Sequence, residues 1–189
     1  MESSLITALR NEIPDLNAIE LNDFAALWTV QKTISRNDLL YPRGKAETNI
    51  YFIESGSFRI CYEVDELEMI VGFGYPNTFI LDLPSFHTSR PSEFYIQAIK
   101  SAKVWGIEKT SFYGFLDNNL TFAKYWRHRT ELIMLDLVER EIDILTSSPQ
   151  TRYERLMRRH PGIFQQIPHK YIASYLRMTP ETLSRLKKS

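Results

Sequence analysis

The sequence predicts an α+β fold: an N-terminal β-roll of jelly-roll type, one long helix, and a C-terminal pair of short helices joined by a tight turn. Three observations predict it. Residues 29–107 break into short runs rich in β-branched and aromatic residues separated by turn residues, the pattern of a small antiparallel roll. Residues 121–145 switch to a helical apolar period. Beyond Ile167, apolar residues fall at Ile172, Leu176, Met178, Leu183 and Leu186, with the small Ala173 among them, the spacing two short helices need to bury facing sides at close approach.

Taken in order, the first 28 residues read as short covering helices. Leu5, Ile6, Leu9 and Ile13 form one stripe, and Leu21, Phe24, Ala25 and Trp28 form another beyond Pro14. Strands are expected over residues 29–34, 49–53, 58–64, 68–73, 94–99 and 102–107. Turns are expected at Pro42-Arg43-Gly44, Glu54-Ser55-Gly56, Asp65-Glu66, Tyr75-Pro76-Asn77 and Ser101-Ala102. Phe58, Ile60, Tyr62 and Val64 alternate with Arg59, Cys61 and Glu63, which predicts one buried face and one partly wet.

A short helix to Leu116 and a turn at Asp117-Asn118-Asn119 should precede the long helix. That helix is apolar on two sides. Leu135, Val138, Ile142 and Leu145 follow a heptad rhythm, while Trp126, Ile133, Leu137 and Ile144 form a second stripe. One stripe can pack on the roll, and the other is read as a homodimer seam. Thr146-Ser147-Ser148-Pro149 ends the helix and is the candidate hinge. The division expected is a roll with its covering helices over 1–116, the long dimerisation helix and hinge over 117–148, and the terminal helical unit over 149–189. In the terminal pair, Thr179 is a good N-cap and Pro180 suits the first helical position. Arg177 occupies the turn, where a left-handed backbone favours glycine.

Hydrophobic content of 43% in 189 residues allows a sizeable core without a membrane span: no apolar run is long enough to cross a bilayer. The start of the chain lacks a basic and apolar leader, so a cytoplasmic protein without a membrane partner is expected. The single cysteine, Cys61, allows neither an internal disulfide nor a cysteine-rich metal site. His87, His128, His160 and His169 are scattered, so neither a metal nor a haem is expected. Nothing has the spacing of paired catalytic carboxylates, a nucleophile with its base, or a phosphate loop, so no catalytic residue is assigned and the chain is not expected to be an enzyme. Net charge is zero, which alone argues against a nucleic-acid binder, but residues 150–189 carry nine Lys/Arg against two Glu. A basic terminal quarter behind an acidic body points to a polyanion at that end only.

Two further stretches are specific in sequence: Leu40-Tyr41-Pro42-Arg43-Gly44, and Tyr51-Phe52-Ile53-Glu54-Ser55-Gly56-Ser57-Phe58-Arg59. With Ile172-Ala173-Ser174-Tyr175-Leu176 and Thr179-Pro180-Glu181-Thr182-Leu183-Ser184-Arg185, in this order, the chain resembles the Crp/Fnr family of bacterial transcription regulators over nearly its whole length. The resemblance implies a sensor roll, a dimer helix and a C-terminal helix-turn-helix. Its implied partners are double-stranded DNA, a second copy of the chain and RNA polymerase.

Cyclic-nucleotide members of that family carry a phosphate cassette, an aromatic followed by Gly-Glu-Leu, with a later Arg followed by Ser/Thr and Ala. The corresponding positions here are degenerate. Leu81 stands at the glycine, Asp82 at the glutamate and Ser92 at the arginine, with Glu93 beside it; Arg90 lies two residues away. Without the glycine and arginine, a cyclic nucleotide is not expected to bind. The pocket is expected to be empty, filled by side chains such as Phe86 and Phe94, or adapted to an unknown effector, and no cofactor is assigned.

The resemblance places the recognition helix at residues 179–188. Glu181, Thr182 and Arg185 would face base edges, Arg185 suiting guanine N7 and O6 and Glu181 suiting cytosine N4. Thr179 and Ser184, with Lys170, Arg177, Lys187 and Lys188, would meet phosphates. The family's C-terminal β-wing is expected to be lacking, which would raise dependence on two half-sites engaged together. A second reading is a ligand-binding or protein-interaction module with a vestigial helix-turn-helix.

Overall fold

Two stretches, 49–64 and 94–108, are rich enough in Ile, Phe, Tyr and Val to be buried or half-buried along most of their length, and their mutual pairing makes the spine of the sheet. The computed structural model describes residues 4–187. Its elements are α1 (Ser4–Glu12), α2 (Ala18–Ala26), β1 (Val30–Ile34), β2 (Leu39–Tyr41), β3 (Asn49–Val64), β4 (Leu67–Gly74), β5 (Phe79–Ile80), α3 (Leu83–Thr88) and β6 (Phe94–Glu108). The helices α4 (Lys109–Asn118), α5 (Leu120–Leu145), α6 (Pro149–Arg159), α7 (Ile163–Gln166), α8 (His169–Tyr175) and α9 (Pro180–Leu186) complete the chain.

All strands are antiparallel. β6 lies between β3 and the pair β1 and β2, and β3 is flanked on its other side by β5 and then β4. This is the α+β roll that the sequence predicts, with two changes. The expected turns at residues 54–56 and 101–102 do not divide the strands. β3 runs through and absorbs the irregularity as register shifts between Ile53 and Phe58, opposite Ala98–Lys103 of β6. The cause is Gly56, at φ +86°, where an added Cβ would lie 2.4 Å from Ala102 Cβ. Residues that read as a turn thus make a bulged bend at which two backbones nearly touch. The Asp65-Glu66 turn does form. Both residues have positive φ, as a two-residue hairpin turn of primed type requires.

The second change concerns the alternation in β3. Phe58 is buried as expected, but the register shifts between Ile60 and Cys61, so Cys61 is buried and Val64 is exposed. Cys61 belongs to a core formed with Ile70, Ile99 and the C-terminal helices, so this end of the sheet is covered on its outer face too. Tyr51, Ile53, Phe58, Ile96 and Val104 fill the roll interior. A third, largely aromatic core joins α1 and α2 to α4 and the start of α5 through Phe24, Phe112 and Phe122. In it Leu5, Leu9, Ile13, Leu21, Phe24 and Trp28, from the two expected stripes, are buried.

The long helix begins on an Asn119 cap that accepts from Phe122 N at 2.8 Å. Its first turns bury Phe122 and half-bury Trp126, and its C-terminal half leaves Met134, Leu135, Val138 and Leu145 exposed. Among the described residues, no helix is long and apolar enough to cross a membrane.

Gly56→Ala should destabilise the chain by about 3 kcal/mol, from the left-handed backbone and the clash with Ala102 together. A urea midpoint that stays at the wild-type value would contradict this account of the bend.

Candidate functional site

Two places were singled out by sequence, the degenerate cassette and the terminal helical pair. At the cassette, β5 delivers Asp82 to the N-cap of α3, where its carboxylate accepts from Ser85 N at 3.0 Å and from the Ser92 hydroxyl. Ser92 Oγ also contacts Phe94 O at 2.7 Å. Ser85 Oγ donates to Arg90 O at 2.7 Å and accepts from Glu47 N at 3.0 Å. The Glu47 carboxylate is itself buried, taking Asn49 N and Asn49 Nδ2 at 2.8 Å and Tyr51 Oη at 3.2 Å. Tyr41 Oη is buried beside Ser92 without a well-formed hydrogen bond. Burial, then the Asp82 and Glu47 charges, push its phenol well above the ordinary range.

The structure therefore brings Asp82 and Ser92 together and does not bring the other three cassette residues to them. Leu81 lies on a different groove, Arg90 enters only through its carbonyl, and Arg90 and Glu93 are exposed. Phe86 is buried against Phe112 and Tyr113, and Phe94 is half-buried against Tyr62, so neither plugs the position. Glu47, Tyr41 and Ser85, none of which the sequence reading assigned to this pocket, complete the cluster. A phosphate there would face two buried carboxylates, so the residues present do not fit a cyclic phosphate.

The terminal pair folds as α8, a turn, and α9. Ile172, Ala173, Leu176 and Leu183 are buried between them, and Thr179 Oγ1 caps α9 by accepting from Thr182 N at 3.2 Å. Arg177 adopts φ +55°, the left-handed conformation usually left to glycine. Of the base-facing set, Glu181 and Arg185 are exposed, while Thr182 is half-buried with its hydroxyl 3.2 Å from that of Thr179. Bonds to its own backbone N–H and to Thr179 hold the Glu181 carboxyl below the usual carboxylate range.

Of the phosphate set, Thr179 and Ser184 are exposed; Lys170 lies over the Tyr171 ring; Lys187 bridges to His169 Nε2 at 3.1 Å and covers Phe164. Arg177 is turned the other way, against Met69 of β4. Lys188 lies outside the described residues.

The basic terminal segment is not simply a solvated cationic surface. Arg155 pairs with Asp143 at 2.5 Å and Glu139 at 2.5 Å, and Arg159 pairs with Asp143 and with Asp136 at 3.2 Å. His160 Nε2 lies 3.0 Å from Asp136. Arg152 reaches the carbonyls of Thr146 at 2.6 Å, Ser147 at 3.1 Å and Arg177 at 3.3 Å, so the expected hinge is tied to the turn between α8 and α9. Two of the nine basic residues, Arg155 and Arg159, thus clamp α6 to α5. A sequence signal for this exists: acids at 136, 139 and 143 stripe one helix, and arginines at 152, 155 and 159 stripe the next. Among the described residues, no group of three or more His, Cys, Asp or Glu is placed to hold a metal ion.

A roll with a closed polar cluster, a long helix exposed over its second half and a terminal pair of short helices joined by a tight turn make up the chain. Residues 31–119 match the family of the cyclic nucleotide-binding domain. The fold over most of the chain is similar to that of CLP, the c-di-GMP responsive global regulator of Xanthomonas campestris. That likeness has 14% identity and a TM-score of 0.65, covering 91% of this chain and 90% of that one. A protein from Eubacterium rectale assigned to the Crp/Fnr family of transcriptional regulators is 19% identical, with a TM-score of 0.63 over 94% of this chain and 86% of that one. The regulatory domain of Toxoplasma gondii PKA, with cAMP, is similar at 19% identity and a TM-score of 0.51. That match covers 59% of this chain, which spans only 43% of the other. No curated protein matches the sequence. The family match lies within the roll, and these likenesses, all under 25% identical, are likenesses of fold.

The clamp carries a pH dependence. Burial pushes the Asp136 carboxyl up, but the His160 hydrogen bond and charge, followed by Arg159, outweigh it and leave its pKa below the ordinary value. A depressed folded-state pKa gives stability that is fully present above the unfolded carboxylate value of about 4 and is lost as pH falls through the folded one. Asp136→Asn should lower the denaturation midpoint at pH 7 and reduce its fall below pH 4; an unchanged acid profile would contradict the assignment.

Proposed function

We propose that the chain is a sequence-specific, DNA-binding transcription regulator of the Crp/Fnr type, acting in the cytoplasm on a palindromic operator as a homodimer and not answering to cyclic AMP. The observation that carries this reading is the outer face of α9, where Glu181, Ser184 and Arg185 are exposed on a capped helix whose inner residue, Leu183, is buried. An exposed arginine at that place suits bidentate contact with guanine, and the neighbouring hydroxyls suit phosphate.

Dimerisation is supported by the heptad stripe on α5. Leu135 is 61% exposed, Val138 58% and Leu145 75%, a contiguous apolar seam of the kind a second copy covers. Indifference to cyclic AMP is supported by the Asp82–Ser92 bond and the buried Glu47, which leave acidic groups where a phosphate would need cations. RNA polymerase would be the partner at the target promoter.

One observation favours the alternative, a ligand-binding or protein-interaction module with a vestigial helix-turn-helix. α8 packs on β4 through Phe73 and Tyr175, with ring centroids 5.3 Å apart, and Arg177 is used in the same contact. Footprinting on DNA upstream of the chain's own gene separates the two.

Operator affinity should fall steeply with salt, and Arg185→Ala should lose about 1–3 kcal/mol of preference at one base pair per half-site while keeping the salt-dependent, non-specific binding. Affinity indifferent to salt would sink the reading. Leu135→Glu with Val138→Glu should convert the dimer to monomer in sedimentation and weaken operator binding far more than either half-site contact does.

A further inference from the structure

A second, larger feature lies where the roll, the long helix and the terminal unit meet. It is a groove of about 510 Å³, within the range that holds small organic ligands. Its walls come from three parts of the chain: Phe73 and Phe79 from the strands, Trp126 and Ile133 from α5, Leu156 and Tyr175 from α6 and α8. Asp82, Ser92 and Glu47 are not among them, so the groove is distinct from the closed cluster.

The walls are mainly aromatic and aliphatic; their charged residues include Asp136, which His160 meets at 3.0 Å, and, at one end, Arg140. Its Nη2 donates to Ile70 O at 3.2 Å, its guanidinium lies 5.1 Å from the Tyr175 ring centre, and its buried Nε has no hydrogen-bond partner. The neighbouring acids on α5, Asp136, Glu139 and Asp143, are taken by Arg155, Arg159 and His160. Among the described residues no carboxylate pairs with Arg140. A second guanidinium, that of Arg177, sits at the adjacent strand residue, Met69. Burial and then the Arg140 charge lower its pKa, so the two cations lie close enough to repel. At the far end Arg129 already faces Glu12 at 3.8 Å. The groove is thus a largely apolar slot ending in a guanidinium that no described carboxylate pairs, the one nearby acid of its lining, Asp136, being held by Arg159 and His160.

We propose that this groove is an effector site for a small amphipathic organic acid, its apolar body lying along Phe73, Phe79, Trp126 and Ile133 and its acid group on Arg140. Such a ligand touches the roll, the dimer helix and the DNA-reading unit at once. It therefore binds one relative placement of those parts in preference to others, which is the thermodynamic requirement for an allosteric effector. The proposal goes beyond the regulator reading, and the experiment needs no DNA, so failure of one is distinguishable from failure of the other.

The full chain is titrated with 1-anilinonaphthalene-8-sulfonate, which has an apolar body and one anionic group, and the probe is then competed with decanoate, 1-decanol or decylammonium. One probe should bind per chain. Decanoate should displace it, and raise the thermal midpoint, at concentrations where decylammonium does neither. Arg140→Met should weaken decanoate at least about tenfold, the loss of a charge-assisted bond, while leaving competition by 1-decanol unchanged; Arg140→Lys should retain part of the decanoate affinity. Thr130→Trp, which fills the groove from α5, should abolish probe binding with the circular dichroism spectrum retained.

Equal competition by decanoate and decylammonium would overturn the proposal, as would an Arg140→Met chain that is folded and binds decanoate normally. Probe binding that appears only at dilutions where the chain is monomeric would also overturn it, since the groove would then be sealed by the α5 of a second copy. If Arg140→Met does not fold, the wild-type competition and the Thr130→Trp titration still decide.

Discussion

The pairing of β3 with β6 is the constraint on which the rest of the molecule depends. The two strands share a register from Asn49 opposite Glu108 to Tyr62 opposite Phe94, interrupted only around Gly56. Where they nearly touch, at Gly56 and Ala102, the sheet bends. One half of β3 then meets β5 and the aromatic core under the covering helices, and the other half meets β4 and the C-terminal helices. A side chain at residue 56 would force those backbones apart, and both candidate regions hang on the two arms of the bend. The cassette follows β5, and the junction groove lies against β4 and β5.

The long helix joins the roll to the terminal helices by two kinds of contact. Its first turns are fixed by apolar packing, through Phe122 and Trp126, whereas its last turns are fixed electrostatically, through Asp136, Glu139 and Asp143 against α6. The two kinds of contact respond to different conditions. Apolar packing is non-directional and insensitive to salt; a clamp of partly buried charges is directional and weakens when either partner is protonated or displaced. Asp143 is the sharpest case, a buried carboxylate held by two arginines, and losing one partner would leave a charge unpaired in the interior.

How much of this was legible in the sequence follows from which forces leave a local pattern. The covering helices, the capped α9 and the long helix were legible because apolar period and cap residues are local signals. The continuity of β3 through residues 54–56 was not, because Glu-Ser-Gly reads the same in a turn as in a bulge and only the opposing Ala102 distinguishes them. Cys61 was read as facing water because strict alternation was assumed across a register shift that the partner strand imposes. The terminal charge excess was legible, but its partial use in the α5–α6 clamp depends on two helices meeting, which a charge count does not record. Arg177 was legible as a misfit in its turn. The reason it is tolerated there, support of its carbonyl by Arg152 and of its side chain by β4, is tertiary.

The two polar regions of the roll differ in a way that bears on where a signal could enter. Around Asp82 nearly every donor and acceptor is matched within the chain, and a matched buried network is rigid; a ligand could enter only by breaking it. Around Arg140 the matching is incomplete, and the group left over is a cation beside open apolar volume. A ligand that supplies the missing anion breaks nothing, and it gains charge-assisted bonds that water supplies less well in a groove of low polarity. Because Arg140 is anchored to β4 through Ile70 and stacked on Tyr175 of α8, any change in its pairing acts on the contact between the terminal helices and the roll. The matched cluster around Asp82 and the open junction around Arg140 are therefore compatible in one molecule, because they use different residues of the roll.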